Sequence, residues 1–129
     1  MDQKQIRFLK NLSTGLVIAA VLVAFMITGI RIFGIKIYGV QSGSMAPAHP
    51  KGALIYVRSV EPGTLKVEDV ITYKLNDGTT STHRIVEVVT DPQYPTKVQY
   101  RTKGDANKDV DGSLVSANNI IGKVMFSIP

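Results

Sequence analysis

The chain has 129 residues, a net charge of +5 and no cysteine. This length allows one domain and one membrane segment. The lack of cysteine excludes a disulfide framework, a thiol nucleophile and a zinc–thiolate site. Residues 1–36 hold five basic residues and one acidic residue, whereas residues 37–129 hold ten basic and nine acidic residues. The positive charge therefore belongs to the N-terminal segment, and no basic patch with interleaved aromatic residues indicates nucleic-acid binding.

An uncharged and largely apolar run occupies residues 11–30. About 20 apolar residues are needed to cross the hydrocarbon core of a bilayer, so the run predicts a transmembrane helix over residues 11–33. A cleavable signal peptide is the main alternative. It is disfavoured because the run is long for the apolar region of such a peptide and no convincing small-x-small cleavage site follows it.

The charges beside this span predict its orientation. Lys4, Arg7 and Lys10 precede the span, and positive charge is enriched on the cytoplasmic side of membrane helices. We therefore expect a cytoplasmic N-terminus over residues 1–10 and an extracytoplasmic domain over residues 34–129, held at the cell membrane by a single pass.

Alternating apolar and polar residues follow Pro50 and predict β-structure. Asn76-Asp77-Gly78 is typical of a tight hairpin turn. In the strand after this turn, His83, Ile85 and Glu87 are expected to share one face. The predicted fold class is mainly β, with one N-terminal transmembrane helix followed by a small antiparallel β domain. The predicted strands cover residues 53–57, 70–75, 81–89, 98–102 and 120–128.

A Ser/Gly/Pro-rich segment over residues 39–47 lies between the apolar run and the predicted strands. Gly43 allows the backbone to turn sharply, and Pro47 restricts both its own backbone and that of the preceding residue. Most stretches of this kind are ordinary loops. The segment also suits a rigidly held nucleophile, Ser44, with a second hydroxyl from Ser42 two residues away.

A serine hydroxyl is a poor nucleophile until a neighbouring base takes its proton, and the chain has only two histidines. His49 lies five residues after Ser44, too close in sequence for a well-defined approach, and is interpreted as a loop histidine. His83 lies in a predicted strand whose backbone would hold its ring. Taken alone it would be an ordinary half-exposed strand histidine, but it is the better candidate for the base.

Three carboxylates, Asp105, Asp109 and Asp111, lie in the polar segment 103–113. The segment does not match a calcium loop of the EF-hand type, because its glycine precedes the acids and no acid closes a twelve-residue loop. A carboxylate on the far ring nitrogen of a catalytic histidine would fix its tautomer. The residues alone leave the choice among the three open, and they predict no metal site and no cofactor.

Together these segments resemble the conserved boxes of type I signal peptidases, peptidase family S26. Ser-Gly-Ser-Met-x-Pro at 42–47 resembles the nucleophile box, and Glu-Asp-Val-Ile at 68–71 resembles the strand box that follows. Thr-His-Arg-Ile at 82–85 resembles the box of the general base, and Lys-Gly-Asp-Ala-Asn at 103–107 resembles the final box. Their order and approximate spacing agree over residues 39–124.

The resemblance also selects a branch of this family. The usual bacterial enzymes have lysine where this chain has His83, whereas histidine is typical of the endoplasmic-reticulum type, which also occurs in archaea and in some Gram-positive spore-forming bacteria. Residues 104–107 and the ending 121–129 look most like the W-type enzymes of that bacterial group. Its members often continue into a second membrane segment, and we expect this tail either to have been removed or to be absent from this version.

The resemblance implies a membrane-bound serine endopeptidase, an enzyme that removes signal peptides from exported preproteins through an acyl-enzyme after small residues. Ser44 would be the nucleophile and His83 the general base. Asp111 is favoured as the partner of His83, with Asp105 as a support that shapes the site, and Asp109 stays open as an alternative.

Further roles follow from the same resemblance. The backbone N–H of Ser44 and the hydroxyl of Ser42 would hold the oxyanion, and Met45 would contribute to substrate binding. The partners implied are the signal peptides of secretory preproteins and membrane lipid, and the need for an accessory membrane protein is left open. Apolar side chains near the site are expected to touch the bilayer, namely Ile35, Ile37, Tyr38 and Met45.

Two alternatives are kept. The same dyad could serve a related serine protease that cleaves itself or another substrate. From a different class, the chain could be a membrane-anchored, non-catalytic β module that binds peptides without cleaving them.

Overall fold

Helix α1 (Gln3–Ile32) makes up most of the first of two units in this computed structural model, which describes residues 1–129 apart from the side chain of Pro62. The Asp2 carboxylate accepts a hydrogen bond from the N–H of Lys4, and the Asp2 N–H donates to Gln5. This reciprocal capping satisfies donors that the first turn would otherwise leave free.

The length and composition of α1 would allow it to cross a membrane. Its most apolar 18-residue stretch has a mean hydropathy of 2.3, and none of that stretch is buried. The helix begins before the predicted span of residues 11–33, because residues 3–10, which include three basic residues, belong to the same helical backbone.

The second unit, Ile35–Pro129, is built on one seven-stranded sheet in which every neighbouring pair of strands is antiparallel. The strand order is β1-β2-β7-β3-β4-β5-β6. One apolar N-terminal helix followed by an antiparallel sheet confirms the predicted fold class. The strands are β1 (Ile35–Gly39), β2 (Leu54–Arg58), β3 (Val70–Lys74), β4 (Thr80–Thr90), β5 (Val98–Lys103), β6 (Val115–Ser116) and β7 (Ile120–Ile128).

Five of these strands match predicted ones, whereas β1 and β6 were not predicted. β1 follows the apolar run directly, so its alternation merges with the end of that run in the sequence. β6 has only two residues and forms by pairing with Gln99 and Tyr100 of β5. Both are edge strands, whose formation depends on a partner rather than on a long pattern of their own.

A bulge in β4 corrects the predicted arrangement of its side chains. Ile85 pairs with Thr102, but Glu87 pairs with Arg101, the adjacent residue of β5. Consecutive residues of a strand point to opposite faces, so Glu87 lies on the face opposite Ile85 and not beside it. There its carboxylate accepts a hydrogen bond from the Arg101 guanidinium at 3.0 Å.

Strand β3 divides the apolar core into two clusters. Ile71 and Tyr73 belong to a cluster with residues of β4, β5 and β6, while Val70 belongs to a second cluster with residues of β2 and β7. Four of the five residues of β3 are buried, which matches its central position in the sheet. The first cluster is Leu65, Ile71, Tyr73, Ile85, Tyr100 and Val115, and the second is Met45, Ile55, Val57, Val70 and Val124.

Gly122 marks a close approach between β7 and β2. A Cβ atom at this position would lie 2.3 Å from the carbonyl oxygen of Arg58, which is far inside van der Waals contact. Glycine is therefore required here by the spacing of the two backbones.

We expect Gly122→Ala to lower the free energy of unfolding by about 1–3 kcal/mol, because the methyl group must displace backbone. Gly63→Ala is the matched control, since a Cβ at Gly63 would meet nothing within 4 Å. Urea unfolding of both variants in detergent micelles would measure the difference. Equal stability of the two would contradict the close approach.

Candidate active site

The loop between β1 and β2 carries Ser44. Its ends are joined by the hydrogen bonds of Val40 N–H to the Ala53 carbonyl and of Gly52 N–H to the Val40 carbonyl, both 2.8 Å. Met45, next to Ser44, is only 2% exposed and packs in the second core cluster. The residue after the serine therefore anchors the loop to the core.

The burial of Met45 overturns one expectation. A side chain inside the core cannot touch a bilayer, so the predicted lipid contact of Met45 is wrong. The predicted contribution of Met45 to substrate binding stays a prediction, and Met45 does line the groove described below.

A second loop, residues 104–113, docks against the first. The N–H of Ala106 donates to the carbonyl of Ser44 at 2.8 Å, and the N–H of Asp105 donates to the Met45 sulfur at 3.5 Å. A Cβ on Gly104 would lie 2.7 Å from the Ser44 carbonyl oxygen. Only glycine allows the two backbones to meet this closely, and the contact fixes the peptide that follows Ser44.

Three of the candidate residues form one hydrogen-bonded row. The Nε2 atom of His83 lies 3.1 Å from the hydroxyl oxygen of Ser44. On the other side of the ring, Nδ1 lies 2.5 Å from Oδ2 of Asp111. The His83 side chain is 12% exposed and that of Asp111 is 26% exposed. With Nδ1 donating to Asp111, Nε2 is free to accept the Ser44 proton, as general base catalysis requires.

The Asp111 carboxylate has two further partners. Its Oδ2 atom accepts a hydrogen bond from the hydroxyl of Thr102 at 2.7 Å and one from the phenol of Tyr73 at 3.3 Å. Burial, joined by the nearby Asp111 charge, raises the pKa of Tyr73 against the opposing effect of hydrogen bonds with Thr102 and Ser81. The phenol therefore stays protonated around neutral pH and can donate.

Asp105 does not contact His83. It receives two hydrogen bonds from Arg84, at 2.9 and 2.8 Å, in a bidentate ion pair. Arg84 also donates to the carbonyl of Glu68 at 2.8 Å, a residue held at a φ of 83°. Arg84 thus ties the docked loop to the segment before β3, while Asp109 lies exposed.

Ser42 lies directly beside the candidate nucleophile. The two hydroxyl oxygens of Ser42 and Ser44 are 3.0 Å apart, and the Ser44 N–H points at the Ser42 oxygen over 3.5 Å. The Ser42 hydroxyl therefore lies beside both the hydroxyl and the N–H of Ser44. A hydroxyl and a backbone N–H are donor types that hold a negatively charged oxygen in oxyanion holes.

An open groove of about 510 Å³ leads to Ser44. One wall is formed by residues 38–42 and the other by residues 78–83, with Ile55 and His49 also lining it. β5 pairs with β4 only from Arg84 onward. The edge of residues 80–83 that faces away from β3 is therefore not paired with β5.

The other histidine forms a second histidine–serine contact. His49 Nδ1 lies 2.8 Å from the hydroxyl of Ser127 in β7. Burial, followed by the charge of Arg84, lowers the pKa of His49, and Asp105 opposes this shift. Among the described residues no carboxylate is hydrogen-bonded to its ring, so His49 has no orienting partner like that of His83. No group of three or more potential metal ligands occurs among the same residues.

The structure brings together Ser42, Ser44, His83 and Asp111 and leaves Asp109 apart. The sequence analysis did not identify Thr102 or Tyr73 as parts of this site, and it named Arg84 only within the motif at 82–85, without a role. A charged residue directly after the candidate base, such as Arg84, could have been recognised as a part of the site. A threonine and a tyrosine inside predicted strands give no comparable indication.

The Arg84–Asp105 pair leads to an expected pH dependence. Hydrogen bonds from Arg84 hold the pKa of Asp105 below its ordinary value of 3.8. A lowered pKa in the folded state stabilises the fold above the unfolded-state pKa, and this stabilisation is lost as the pH falls through the folded-state pKa.

We therefore expect Asp105→Asn to lower the free energy of unfolding by about 1–3 kcal/mol at pH 7. The difference from the unaltered chain should shrink as the pH falls below 3.8. Asp109→Asn is the control, because Asp109 is exposed. Chemical unfolding at several pH values would test this, and a difference that persists unchanged at pH 2 would contradict the role of the charge.

Comparison with known proteins found similarity to a curated signal peptidase. No protein-family model matches it. The chain is 37% identical over 82 residues to Signal peptidase I W of Bacillus subtilis strain 168, a match that covers 63% of this chain and 42% of the relative. The match therefore spans less than half the length of that relative. It confirms the resemblance found in the sequence: over these 82 residues the chain is similar to a type I signal peptidase of the W type.

Proposed function

We propose that the chain is a membrane-bound serine endopeptidase that removes signal peptides from exported preproteins. The observation that carries this proposal is the hydrogen-bonded row of Ser44, His83 and Asp111 beside an open groove. The name of the relative, a signal peptidase, supports the choice of substrate. The alternative function is that of a non-catalytic module that binds peptides in the same groove without cleaving them.

In the proposed reaction the Ser44 oxygen attacks the carbonyl carbon of the scissile peptide bond while His83 Nε2 takes the Ser44 proton. Asp111 stabilises the resulting imidazolium through Nδ1. The tetrahedral intermediate breaks the C–N bond, and His83 gives its proton to the leaving amine. Water then attacks the acyl-enzyme with His83 again as base, which releases the signal peptide and restores Ser44.

The oxyanion would be held by the Ser44 N–H and the Ser42 hydroxyl. The Ser42 hydroxyl oxygen lies 3.0 Å from the Ser44 hydroxyl oxygen and 3.5 Å from the Ser44 nitrogen. The docked loop supports this arrangement because Ala106 holds the Ser44 carbonyl and so limits rotation of the adjoining backbone. Preorganised donors of this kind lower the barrier without rearranging during the reaction.

The substrate would bind as an extended strand in the groove. Residues 38–42 and residues 78–83 form its two walls, and the edge of residues 80–83 is not paired with β5. Main-chain hydrogen bonds along a strand edge bind peptides with little sequence preference. The preference for small residues before the cleaved bond would then come from shallow side-chain sites near Ser44, to which Met45 contributes.

The proposed enzyme works at a membrane. Residues 1–10 would lie in the cytoplasm, residues 11–33 in the bilayer and residues 34–129 outside the cytoplasm, as the positive charges before the span favour. Secretory preproteins held in the bilayer by their signal sequences would then meet the site on the extracytoplasmic side.

An apolar face of the sheet is suited to contact lipid. Ile37, Tyr56 and Phe126 are directly opposite one another on β1, β2 and β7, and the rings of Tyr56 and Phe126 stack with centroids 4.4 Å apart. Leu54 and Ile128 form the next row on this face. The four aliphatic and phenylalanine side chains are each about half exposed, which is unusual for neighbouring apolar residues of a water-exposed sheet.

The central test is cleavage of a secretory precursor by the chain reconstituted in liposomes, with the products identified by mass. We expect cleavage after a small residue and its loss in Ser44→Ala and His83→Ala. Ser42→Ala should reduce the rate by roughly 10²–10³ without abolishing it, because one oxyanion donor is lost.

Ser127→Ala is the control, because it removes the hydroxyl of the other histidine–serine pair. Cleavage that survives Ser44→Ala would overturn the proposed nucleophile. Precursor binding without cleavage, unchanged in Ser44→Ala, would select the non-catalytic module.

The lipid contact has its own test. We expect Ile37→Asp combined with Phe126→Asp to slow processing of precursors held in vesicles while leaving cleavage of a short soluble peptide unchanged. A charge placed at the exposed Val88 of β4 serves as the control. Equal processing of vesicle-held precursor by the unaltered chain, the double variant and the Val88 variant would show that this face does not contact the bilayer.

A further inference from the structure

One oxygen of Asp111 collects hydrogen bonds from three neighbouring strands. Tyr73 of β3, His83 of β4 and Thr102 of β5 all reach Oδ2. Residue pairing explains why: Tyr73 pairs with Ser81, and Thr102 pairs with Ile85, so both lie on the face of the sheet that His83 occupies. The sheet therefore delivers three donors to one point.

We propose that Thr102 is a positioning residue for the reaction, acting on His83 through Asp111; this inference rests on the proposed function. Besides His83, two hydroxyl groups donate to Oδ2 of Asp111. The Thr102 hydroxyl is the closer of the two, at 2.7 Å, while the Tyr73 hydroxyl lies at 3.3 Å. The Thr102 residue is fully buried, at 0% exposed. Its hydroxyl thus has little freedom to turn away.

Thr102 holds Asp111 at two points. The Asp111 N–H donates to the Thr102 carbonyl at 2.8 Å, and the Thr102 hydroxyl donates to the Asp111 carboxylate. The first contact fixes the backbone of Asp111 and the second fixes the rotation of its side chain. Asp111 follows an exposed stretch, residues 106–110, and these two contacts tie it to β5.

The Thr102 hydroxyl affects the tautomer of His83 and not only the stability of the fold. Asp111 selects the His83 tautomer only while its Oδ2 faces Nδ1. Without the Thr102 hydroxyl the carboxylate can rotate toward solvent, and the neutral ring can then carry its proton on Nε2, where it cannot accept from Ser44. Tyr73 supplies a longer, weaker second donor to the same oxygen.

The first experiment measures precursor cleavage by Thr102→Val in liposomes. We expect kcat to fall about tenfold to hundredfold, the usual cost of a hydrogen bond to a charged group, while KM stays unchanged. Thr102→Ser, which keeps the hydroxyl, should restore most of the rate. Thr72→Val is the matched control, since Thr72 is 1% exposed and bonds Thr82 rather than Asp111.

A double-mutant comparison separates positioning from general structural damage. In an Asp111→Ala background, Thr102→Val should change kcat less than about twofold, because the residue through which it acts is gone. The same fall in kcat with and without Asp111, or an equal fall in Thr72→Val, would overturn the proposal. If Thr102→Val does not fold, Thr102→Ala, which also removes the hydroxyl, replaces it in both backgrounds.

A readout that does not need activity distinguishes this inference from the proposed function. The chain has two histidines, so ¹⁵N-histidine NMR in micelles resolves His83 with His49 as an internal reference. The neutral His83 ring should carry its proton on Nδ1 in the unaltered chain and in Thr72→Val, and become a mixture in Thr102→Val. An unchanged tautomer in Thr102→Val would overturn the positioning role even if cleavage were never observed, and a mixture without cleavage would support it while the proposed function fails.

Discussion

The docking of residues 104–113 on the Ser44 loop is the contact on which the candidate site depends. The two loops are distant in sequence and meet through the hydrogen bond from Ala106 to the Ser44 carbonyl. Gly104 makes the approach sterically feasible, and the Arg84–Asp105 pair holds the second loop down from the side of β4. If the two loops separated, Ser44 and Asp111 would no longer be held in fixed positions relative to each other.

The sheet supplies the rigidity that the loops lack. His83 and the donors around Asp111 lie on three adjacent strands whose register is set by backbone hydrogen bonds. On the other side, the burial of Met45 ties the nucleophile to the second core cluster. With no cysteine in the chain, this alignment depends on packing and hydrogen bonds alone. Rigid strands and anchored loops are the usual way to hold reacting groups within tenths of an ångström.

The sequence predicted the fold class, the long strands and the grouping of Ser44 with His83, because each carries a local signal: alternation, turn residues or a motif. Asp111 carries no such signal among the three acids of its loop, and only the family resemblance favoured it. It did not predict β1 and β6, which form by pairing at the sheet edges. It placed Glu87 on the wrong face, because a bulge leaves no mark in the alternation of β4. Thr102 and Tyr73 were missed for a related reason, since their contacts with Asp111 arise from register across three strands.

The central claim is that Ser44, activated by His83, is the nucleophile. A peptidyl phosphonate with a small residue at its reactive end, followed by mass mapping of the adduct, tests this most directly. The adduct should form on Ser44 and fail to form in His83→Ala. An adduct on Ser127, the hydroxyl beside His49, or equal labelling of Ser44 without His83, would contradict the claim.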